Sequence, residues 1–481
     1  MASASLASAG SAPLLRRMHR RDRCALPLAL GFALFALHVL LSETETTTPL
    51  DGRAHAPGGR ARAAAGAPAP SLLPDARAGD ELRFFVIGDW GAPRERTECK
   101  ATQRLVARAM ELVARRAGPA FVLSLGDAFY LNGVRSEHDG RLDEVFDETF
   151  AHAPSLAALP WLSVLGNHDC RGNVSALLRA GSRPRADAPG GSRAFVLPAR
   201  HWAWAWRGAG DAGGGNGGHD AGRGGGARFA FVDTCSLVCA PGAEAFEEPS
   251  VLADVERVLR EPARSAARRA ALAAAEARWP PSASRPLGLN ATLGRQSECR
   301  RMPARSRAAP RARDEQLAWL SEQLRAARAA RAWSIVAGHS PIRSAGAGHG
   351  DYPQLLRALA PRLQAGGAHL YLAGDEHSLQ HAHERGVHLL VLGAGGGLNL
   401  HPLQPAARAP RVRWAAAALG FASVRLSASR LALSVYTVSR SDGAGSVGRV
   451  LDDAGEPHTV RAAHGLVLER RADGSVEEVW R

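Results

Sequence analysis

The sequence of 481 residues predicts an α/β protein, and two observations lead to that prediction. Residues 83–87 and 121–125 are strand-like apolar runs, and the segment between them has apolar residues at helical spacing over about 102–116, which together make a βαβ unit. Further along, apolar residues alternate as they do in strands of a packed sheet. A chain of this length can hold one large α/β domain with appendages.

The second half of the chain predicts another group of strands. Trp202, Trp204 and Trp206 alternate with small residues, and a glycine-rich loop at 208–226 separates them from the apolar run at 229–232. We interpret the tryptophans as the core of a sheet sandwich and not as an aromatic ligand-binding box. Near the end of the chain, the alternating segments 421–426 and 431–438 predict two strands that close this second sheet.

The amino-terminal segments resemble a targeting region. A basic stretch (1–24) precedes an apolar run (25–41), and a segment rich in Ala, Pro, Gly and Thr (42–80) follows. We interpret them as a cytoplasmic N-terminus, a signal-anchor or signal-peptide segment and a disordered stalk. No clean cleavage site follows residue 41, which slightly favours a single-pass type II membrane protein over a secreted one. Either way, the folded domain is expected in the lumen of the secretory pathway or outside the cell.

The chain carries a net charge of +14, almost entirely from arginine, since Lys100 is its only lysine. A basic surface can attract nucleic acid or an acidic membrane. No nucleic-acid-binding motif accompanies the charge, so nucleic acid is not an expected partner. The Arg/Ala-rich stretch 241–313 is interpreted as a solvated appendage in preference to a binding arm, and its part 251–278 is compatible with a helix.

Five short segments place metal-ligand residue types beside a small residue, and most of them follow a strand-like run. They read GDWG at 88–91, GDAFY at 126–130, GNHD at 166–169, GHSP at 338–341 and GDEH at 374–377. Ligating residues at the carboxyl ends of buried strands converge in space. Carboxylates, imidazoles, an amide and one phenol are a donor set for transition metals. The segments therefore predict a site for two metal ions.

The order of these segments and the residues in them resemble those of the purple acid phosphatases, above all of the small tartrate-resistant type. These enzymes belong to the calcineurin-like dinuclear metallophosphoesterases. The resemblance covers roughly residues 82–438 with gaps, and includes GNVSA at 172–176 and QLAWL at 316–320. It implies a four-layer αββα sandwich of two mixed β-sheets flanked by helices. The implied catalytic domain is 81–440, with 241–313 as an insert and 441–481 as a C-terminal extension.

The resemblance also implies the ligands of the two ions. Those of the first ion, a ferric iron, are Asp89, Asp127, Tyr130 and His377. The second ion, a divalent iron, zinc or manganese, shares Asp127, and its other ligands are Asn167, His339 and Asp375. The implied reaction is hydrolysis of phosphate monoesters by a metal-bound hydroxide. His168 matches the histidine that helps to protonate the leaving alkoxide, and His349 matches a second histidine that faces the substrate. Asp169 either orients His168 or caps the following turn.

The fifth segment departs from the family pattern Gly-His-x-His. His377 is retained, but Asp375 stands where the family has a histidine ligand of the second ion. An aspartate can still ligate and favours manganese, magnesium or iron over zinc. An active enzyme with altered metal preference is the favoured outcome; a weak enzyme with a labile second ion and a pseudoenzyme that only binds are the others. A phosphodiesterase of the same superfamily is the alternative activity, against which Tyr130 stands.

Sequons at Asn173 and Asn290 fit a secretory route. Five cysteines follow Cys24, an odd number, so an oxidising compartment is expected to leave at least one of them free or paired between chains. Possible disulfides join Cys99 with Cys170, which both follow metal-ligand segments, and Cys239 with Cys299, which would tie down the insert.

Overall fold

The computed structural model shows two mixed β-sheets packed face to face, with helices on both outer sides. It describes residues 73–74, 79–182, 195–208, 226–239, 249–262, 265–279, 290–306, 308–309, 311–406, 409–440 and 446–479. The expected cytoplasmic segment, apolar segment and most of the stalk lie outside these ranges. Within them, no helix has the length and apolar character needed to cross a membrane.

The strands come mainly in two blocks, one before and one after the insert. In chain order they are β1 (Glu81–Ile87), β2 (Phe121–Ser124), β3 (Trp161–Ser163), β4 (Phe195–Val196), β5 (Trp202–Trp206), β6 (Ala227–Phe231), β7 (Trp333–Ala337), β8 (Leu370–Ala373), β9 (Leu379–Glu384), β10 (Val387–Leu392), β11 (Val412–Ala416), β12 (Leu419–Ser427), β13 (Arg430–Ser439), β14 (Ser446–Leu451), β15 (Pro457–Arg470) and β16 (Val476–Glu478).

The helices connect these strands and form the outer layers. In chain order they are α1 (Thr97–Ala117), α2 (Arg141–Phe150), α3 (Pro154–Ala157), α4 (Asn167–Cys170), α5 (Val174–Ala180), α6 (Thr234–Val238), α7 (Pro249–Arg260), α8 (Ala266–Arg278), α9 (Asn290–Arg301), α10 (Ala312–Ala329), α11 (Pro353–Ala358) and α12 (Ala360–Gly366), with a 3₁₀ turn at Ala304–Ser306.

The first sheet has the order β14-β15-β13-β12-β1-β2-β3-β4, with β16 paired to β15, and the second has the order β11-β9-β10-β8-β7-β6-β5. Strands β1 to β4 run parallel to one another, as do β6, β7, β8 and β10. Their carboxyl ends therefore lie at one edge of each sheet, and all five metal-ligand segments follow such an end. The expected αββα sandwich of two mixed sheets is confirmed.

Large aromatic residues fill the space between the sheets. Trp202 stacks on Phe231 with ring centroids 3.9 Å apart, and both are buried together with Trp204 and Trp206. Alternation along β5 puts all three tryptophans on the face that meets the other sheet. The interpretation of these tryptophans as sandwich core is confirmed.

One strand assignment was wrong. Strands β12 and β13 were expected to close the second sheet, but they belong to the first, where β12 pairs antiparallel with β1 in a register that places Val424 opposite Phe84. Most of β12 is buried on both faces, which suits a position beside the central strand β1. Residues 446–478 then extend this sheet through β14, β15 and β16.

The long helix suggested for 251–278 is also wrong, because the structure has two helices there, α7 and α8. Pro262 lies between them, and a proline has no N–H to continue a helix. The two helices pack on each other around a small apolar cluster of their own, which includes Val255, Val258 and Ala275.

The disulfide pattern is partly as expected. Cys239 and Cys299 form a disulfide, which ties α9 of the insert to the end of α6. Cys170, however, is bonded to Cys235 and not to Cys99. Cys170 ends α4, which faces the first turn of α6, whereas Cys99 packs with Ala92 and Leu398. At least one cysteine was expected to be free or paired between chains; none of the described cysteines is a free thiol, so the first of these alternatives is wrong.

A chain of three histidines joins the two sheets away from the metal-ligand segments. His381 on β9 is fully buried, and its Nδ1 and Nε2 lie 2.8 Å from His464 Nε2 and 3.0 Å from His388 Nδ1. Burial lowers the pKa of both His381 and His388 to about 3, with a smaller contribution from neighbouring imidazoles and Arg413. The folded protein therefore keeps both imidazoles neutral at pH values where the unfolded chain protonates them.

This difference predicts that the free energy of unfolding falls as the pH falls from about 6.5, the unfolded pKa of histidine, toward 3. The unfolded state binds more protons in this range, so each of the two histidines contributes a slope of at most about 1.4 kcal/mol per pH unit. Denaturant unfolding measured between pH 4 and 7 should show a shallower slope for His381→Gln and His388→Gln. The matched control, His138→Gln at an exposed position, should keep the wild-type slope; equal slopes in all three variants would contradict the prediction.

Candidate metal centre

Three aspartates at strand ends share an unusual backbone conformation. Asp89, Asp127 and Asp375 follow β1, β2 and β8 after a glycine, and their φ angles are 56°, 54° and 65°. Residues with a side chain rarely adopt this left-handed region, and such strain concentrates at functional sites. All three carboxylates are buried, with at most 2% of each residue exposed. The turn of the backbone directs them toward one another from two different sheets.

The contacts around Asp127 explain the residue types at Gly166 and Asp169. A Cβ atom at Gly166 would overlap the Asp127 carboxylate, so only glycine fits there. Asp169 accepts hydrogen bonds from the backbone N–H groups of Asp127 (2.9 Å), Gly166 (2.9 Å) and Phe129 (3.1 Å). Of the two roles considered for Asp169, the structure favours capping, because Asp169 accepts from Gly166 at the start of α4, and it also fixes the backbone of Asp127 and Phe129.

One group of potential ligands lies around Asp89. The Tyr130 hydroxyl donates to Asp89 Oδ1 over 3.1 Å and lies 3.3 Å from His377 Nε2. His377 donates from Nδ1 to the Asn399 carbonyl over 2.7 Å, which leaves Nε2 available as a ligand. Tyr130 thus points into the polar centre, whereas its neighbour Phe129 packs in the apolar core.

A second group lies around His339. Its Nδ1 donates to the Leu125 carbonyl over 2.7 Å, so Nε2 is again the free nitrogen. That Nε2 lies 3.0 Å from Asn167 Oδ1, 3.5 Å from Asp375 Oδ1 and 3.6 Å from Asp127 Oδ2. Ligand atoms of Asp89, Asp127 and His339 all lie within 4.8 Å of one another. Asp127 is therefore shared between the two groups.

The electrostatics of the centre favour a cation. Burial raises the pKa of Asp127, and the charges of Asp89 and Asp375 add to the effect. Burial would lower the pKa of His339, but the surrounding carboxylates, Asp127 foremost, raise it well above its ordinary value. Asp89, Asp127 and Asp375 are three buried carboxylates whose nearest basic groups are imidazoles, so a bound cation would stabilise the cluster.

The donor set fits two transition-metal ions. It combines carboxylate, amide and phenol oxygens with two imidazole nitrogens, and each imidazole is oriented by a backbone carbonyl on its other nitrogen. Asp375 fits as an anionic ligand: burial would raise its pKa, but His349 and His339 hold it well below the usual range. The structure brings together all seven residues that the sequence suggested as ligands; their roles as ligands remain predictions.

The two histidines expected at the substrate also reach the centre. His168 Nδ1 donates to the Leu131 carbonyl over 2.7 Å, and its Nε2 lies 3.9 Å from Asp127 Oδ2. Burial, helped by the charge of Arg171, lowers the pKa of His168 well below its ordinary value. His349 Nε2 lies 3.7 Å from Asp375 Oδ1, on the side of the second ligand group.

Sequence reasoning missed the residue that holds the His349 loop. Glu376 is fully buried and accepts hydrogen bonds from the backbone N–H groups of Gly348 (2.8 Å), His349 (2.8 Å) and Gly350 (3.1 Å). Burial would raise the pKa of Glu376, but His401, 2.9 Å away, and the other donors lower it to about 2. A carboxylate in the middle of the GDEH segment was the available signal, whereas no pattern marked His401.

Two sequence expectations about the surroundings have different outcomes. Asn173 caps α5, since its Oδ1 accepts from the Ala176 N–H over 3.1 Å; the side chain of Asn290 lies outside the described residues. Glycosylation of both remains a prediction.

The insert, interpreted as a solvated appendage, instead reaches the centre, because Glu298 of α9 accepts a hydrogen bond from Asn167 Nδ2 over 3.2 Å.

Comparisons with known proteins agree with this geometry. The family model of the calcineurin-like phosphoesterases matches residues 82–216. The chain contains a calcineurin-like phosphoesterase domain. Human tartrate-resistant acid phosphatase type 5 is 28% identical over 66% of this chain and 74% of the relative. Purple acid phosphatase 17 of Arabidopsis thaliana is 28% identical over 76% of this chain and 84% of the relative.

Among solved structures, the chain is similar to one titled GAP50, the anchor in the inner membrane complex of Plasmodium, with 18% identity and a TM-score of 0.46 over 74% of this chain and 84% of that one. The expected kinship with purple acid phosphatases is confirmed by the family model and the relatives. A phosphoesterase domain is a hydrolase domain, so the expectation of an enzyme is confirmed as well.

The crowding of carboxylates predicts opposite effects of Asp127→Asn with and without metal. In the metal-free protein the variant should be more stable than wild type, because one of the buried charges is removed. With metal supplied, it should hold at most one ion per chain and gain less stability on metal addition. Thermal unfolding with chelator and with added Zn²⁺, together with metal analysis, tests both effects.

Asp233→Asn is the matched control, since Asp233 is also fully buried but pairs with Arg200 and caps α6. This control should lose stability under both conditions and keep its metal. If Asp127→Asn also loses stability without metal, the carboxylates do not repel one another as inferred.

Proposed function

We propose that this chain is an acid phosphatase that hydrolyses phosphate monoesters at a dinuclear metal centre. The observation that carries the proposal is the pair of ligand groups that share Asp127, since two ions held a few ångströms apart are suited to phosphoryl chemistry. Relatives named as purple and tartrate-resistant acid phosphatases support it.

The proposed ions differ in their ligands. The first, Fe(III), would be held by Asp89, Asp127, Tyr130 and His377. The second, a divalent iron, zinc or manganese ion, would be held by Asp127, Asn167, His339 and Asp375. When bound, the ions supply Lewis-acid stabilisation of charge on a phosphoryl group and a water activated for attack.

The chain's own residues supply the proton and the positioning. His168 is anchored through Nδ1 on the Leu131 carbonyl, so its Nε2 faces the space beside Asp127. We assign this nitrogen to proton exchange with the leaving oxygen of the ester. His349 faces the same space from the loop that Glu376 holds, and is placed to donate a hydrogen bond to a phosphoryl oxygen.

The proposal predicts turnover of p-nitrophenyl phosphate between pH 4 and 8, with bis(p-nitrophenyl) phosphate a poor substrate. His168→Ala should lower kcat by roughly 10²- to 10⁴-fold, the range for loss of a general acid or base. His138→Ala, at an exposed position, is the control and should match wild type.

Tyr130→Phe adds a spectroscopic readout, because a phenolate bound to Fe(III) gives a visible absorption band. The band should disappear in this variant. Faster hydrolysis of the diester would favour a phosphodiesterase. A metal-loaded protein without turnover of either ester would favour a protein that only binds.

We also propose that the catalytic domain lies in the secretory pathway, with 25–41 as a membrane anchor or cleaved signal. The disulfides Cys170–Cys235 and Cys239–Cys299 support an oxidising compartment. Expressed in eukaryotic cells, the chain should shift in mass on glycosidase treatment, and Asn173→Gln should remove part of that shift. A chain that is never glycosylated and is digested by protease added to intact microsomes would contradict this location.

A further inference from the structure

Helix α9 of the insert lies against the second ligand group. The Cys239–Cys299 disulfide fixes its carboxyl-terminal part to α6, which packs beside the metal-ligand segments. Arg295 and Glu298 are three residues apart on α9 and therefore share one face of the helix. Each makes contact with a different part of the centre.

Arg295 reaches the loop that carries His349. It is 4% exposed, and its Nη1 lies 3.4 Å and 3.3 Å from the backbone oxygens of His349 and Asp351. Its guanidinium carbon lies 5.5 Å from the centroid of the Tyr352 ring, within the range of a cation–π contact. Arg295 therefore holds the Tyr352 ring and the adjacent backbone together.

Tyr352 in turn holds Asp375. The buried Tyr352 hydroxyl donates to Asp375 Oδ2 over 2.5 Å. Since this bond occupies Oδ2, Oδ1 is the oxygen directed at the second ligand group, 3.5 Å from His339 Nε2. The hydrogen bond thus orients the side chain that departs from the family pattern.

Glu298 orients Asn167, another ligand of the second group. It accepts from Asn167 Nδ2 over 3.2 Å, which fixes the amide so that Asn167 Oδ1 lies 3.0 Å from His339 Nε2. Arg171, which donates to Glu298 from Nε over 3.0 Å, balances the carboxylate charge. Together with the His339 contact, this bond places the amide oxygen of Asn167 toward the centre.

We propose that Arg295 and Glu298 of the insert are positioning residues for the second metal ion, Arg295 through Tyr352 and Asp375, and Glu298 through Asn167. The proposal rests on the dinuclear centre of the proposed function. It makes the insert part of the metal centre. It also explains how Asp375 can act as a ligand where the family has a histidine: the Tyr352 hydroxyl contacts Oδ2 of the shorter Asp375 side chain and leaves Oδ1 directed at the second ligand group. Residues that orient ligands in this way commonly change metal affinity by about 10- to 100-fold.

The test is a calorimetric titration of the metal-depleted full chain with Zn²⁺ alone. Metal analysis of the titrated protein then gives the number of ions bound per chain. Tyr352→Phe, Arg295→Met and Glu298→Ala should each weaken binding of one of two Zn²⁺ ions by about 10-fold or more and leave the other unchanged. Their controls are Tyr436→Phe, at a tyrosine of β13 whose ring stacks on Phe421, and Arg300→Met and Glu256→Ala. Arg300 lies on the same helix and pairs with Glu256 on α7, away from the centre, and the controls should bind both ions as wild type does.

The outcomes separate this inference from the proposed function. Two ions bound with unchanged affinity in all three variants would overturn the positioning role and leave the dinuclear phosphatase intact. A wild-type chain that binds fewer than two ions would overturn the dinuclear centre and the inference with it. Equal weakening of both ions, accompanied by a fall in the melting temperature of the metal-free variants, would mean general destabilisation and would also overturn the inference.

Discussion

The burial of several carboxylates at the facing edges of two sheets is the constraint on which the rest of this structure depends. Asp89 and Asp127 come from the first sheet and Asp375 from the second, and water reaches none of them to an appreciable extent. Such a cluster is unfavourable unless cations neutralise it. The left-handed backbone at all three aspartates and the close approach of Gly166 serve this arrangement.

Assembly of the centre requires the two sheets to be in their correct relative position. Asp127 and His339 approach to 3.6 Å although they follow strands of different sheets. The aromatic core between the sheets holds them in this position, and in it Phe84 of β1 meets Phe229 of β6 with ring centroids 5.4 Å apart. Close packing of this core therefore contributes to function indirectly, since protein interiors transmit small changes of volume.

The insert shows how a segment of low sequence complexity can take part in a specific site. Its composition resembles that of a solvated appendage, and much of α8 is exposed. One face of α9 nevertheless carries Arg295 and Glu298 into buried contacts at the centre. The buried arginine is held between a ring face and two backbone oxygens, which suits the planar guanidinium better than it would an ammonium group.

The sequence by itself determined the parts of this protein that depend on neighbours along the chain. Ligand residue types after strand-like runs predicted a metal site, helical spacing between two such runs predicted the α/β class, and alternation predicted the role of the tryptophans; the family resemblance then implied the individual ligands. Tertiary structure alone decided the pairing of β12 with β1, the bond of Cys170 to Cys235, and the contacts of Tyr352 with Asp375 and of Glu298 with Asn167. These contacts join residues 23 to more than 300 positions apart, whose spacing follows no period and whose selection depends on packing between elements.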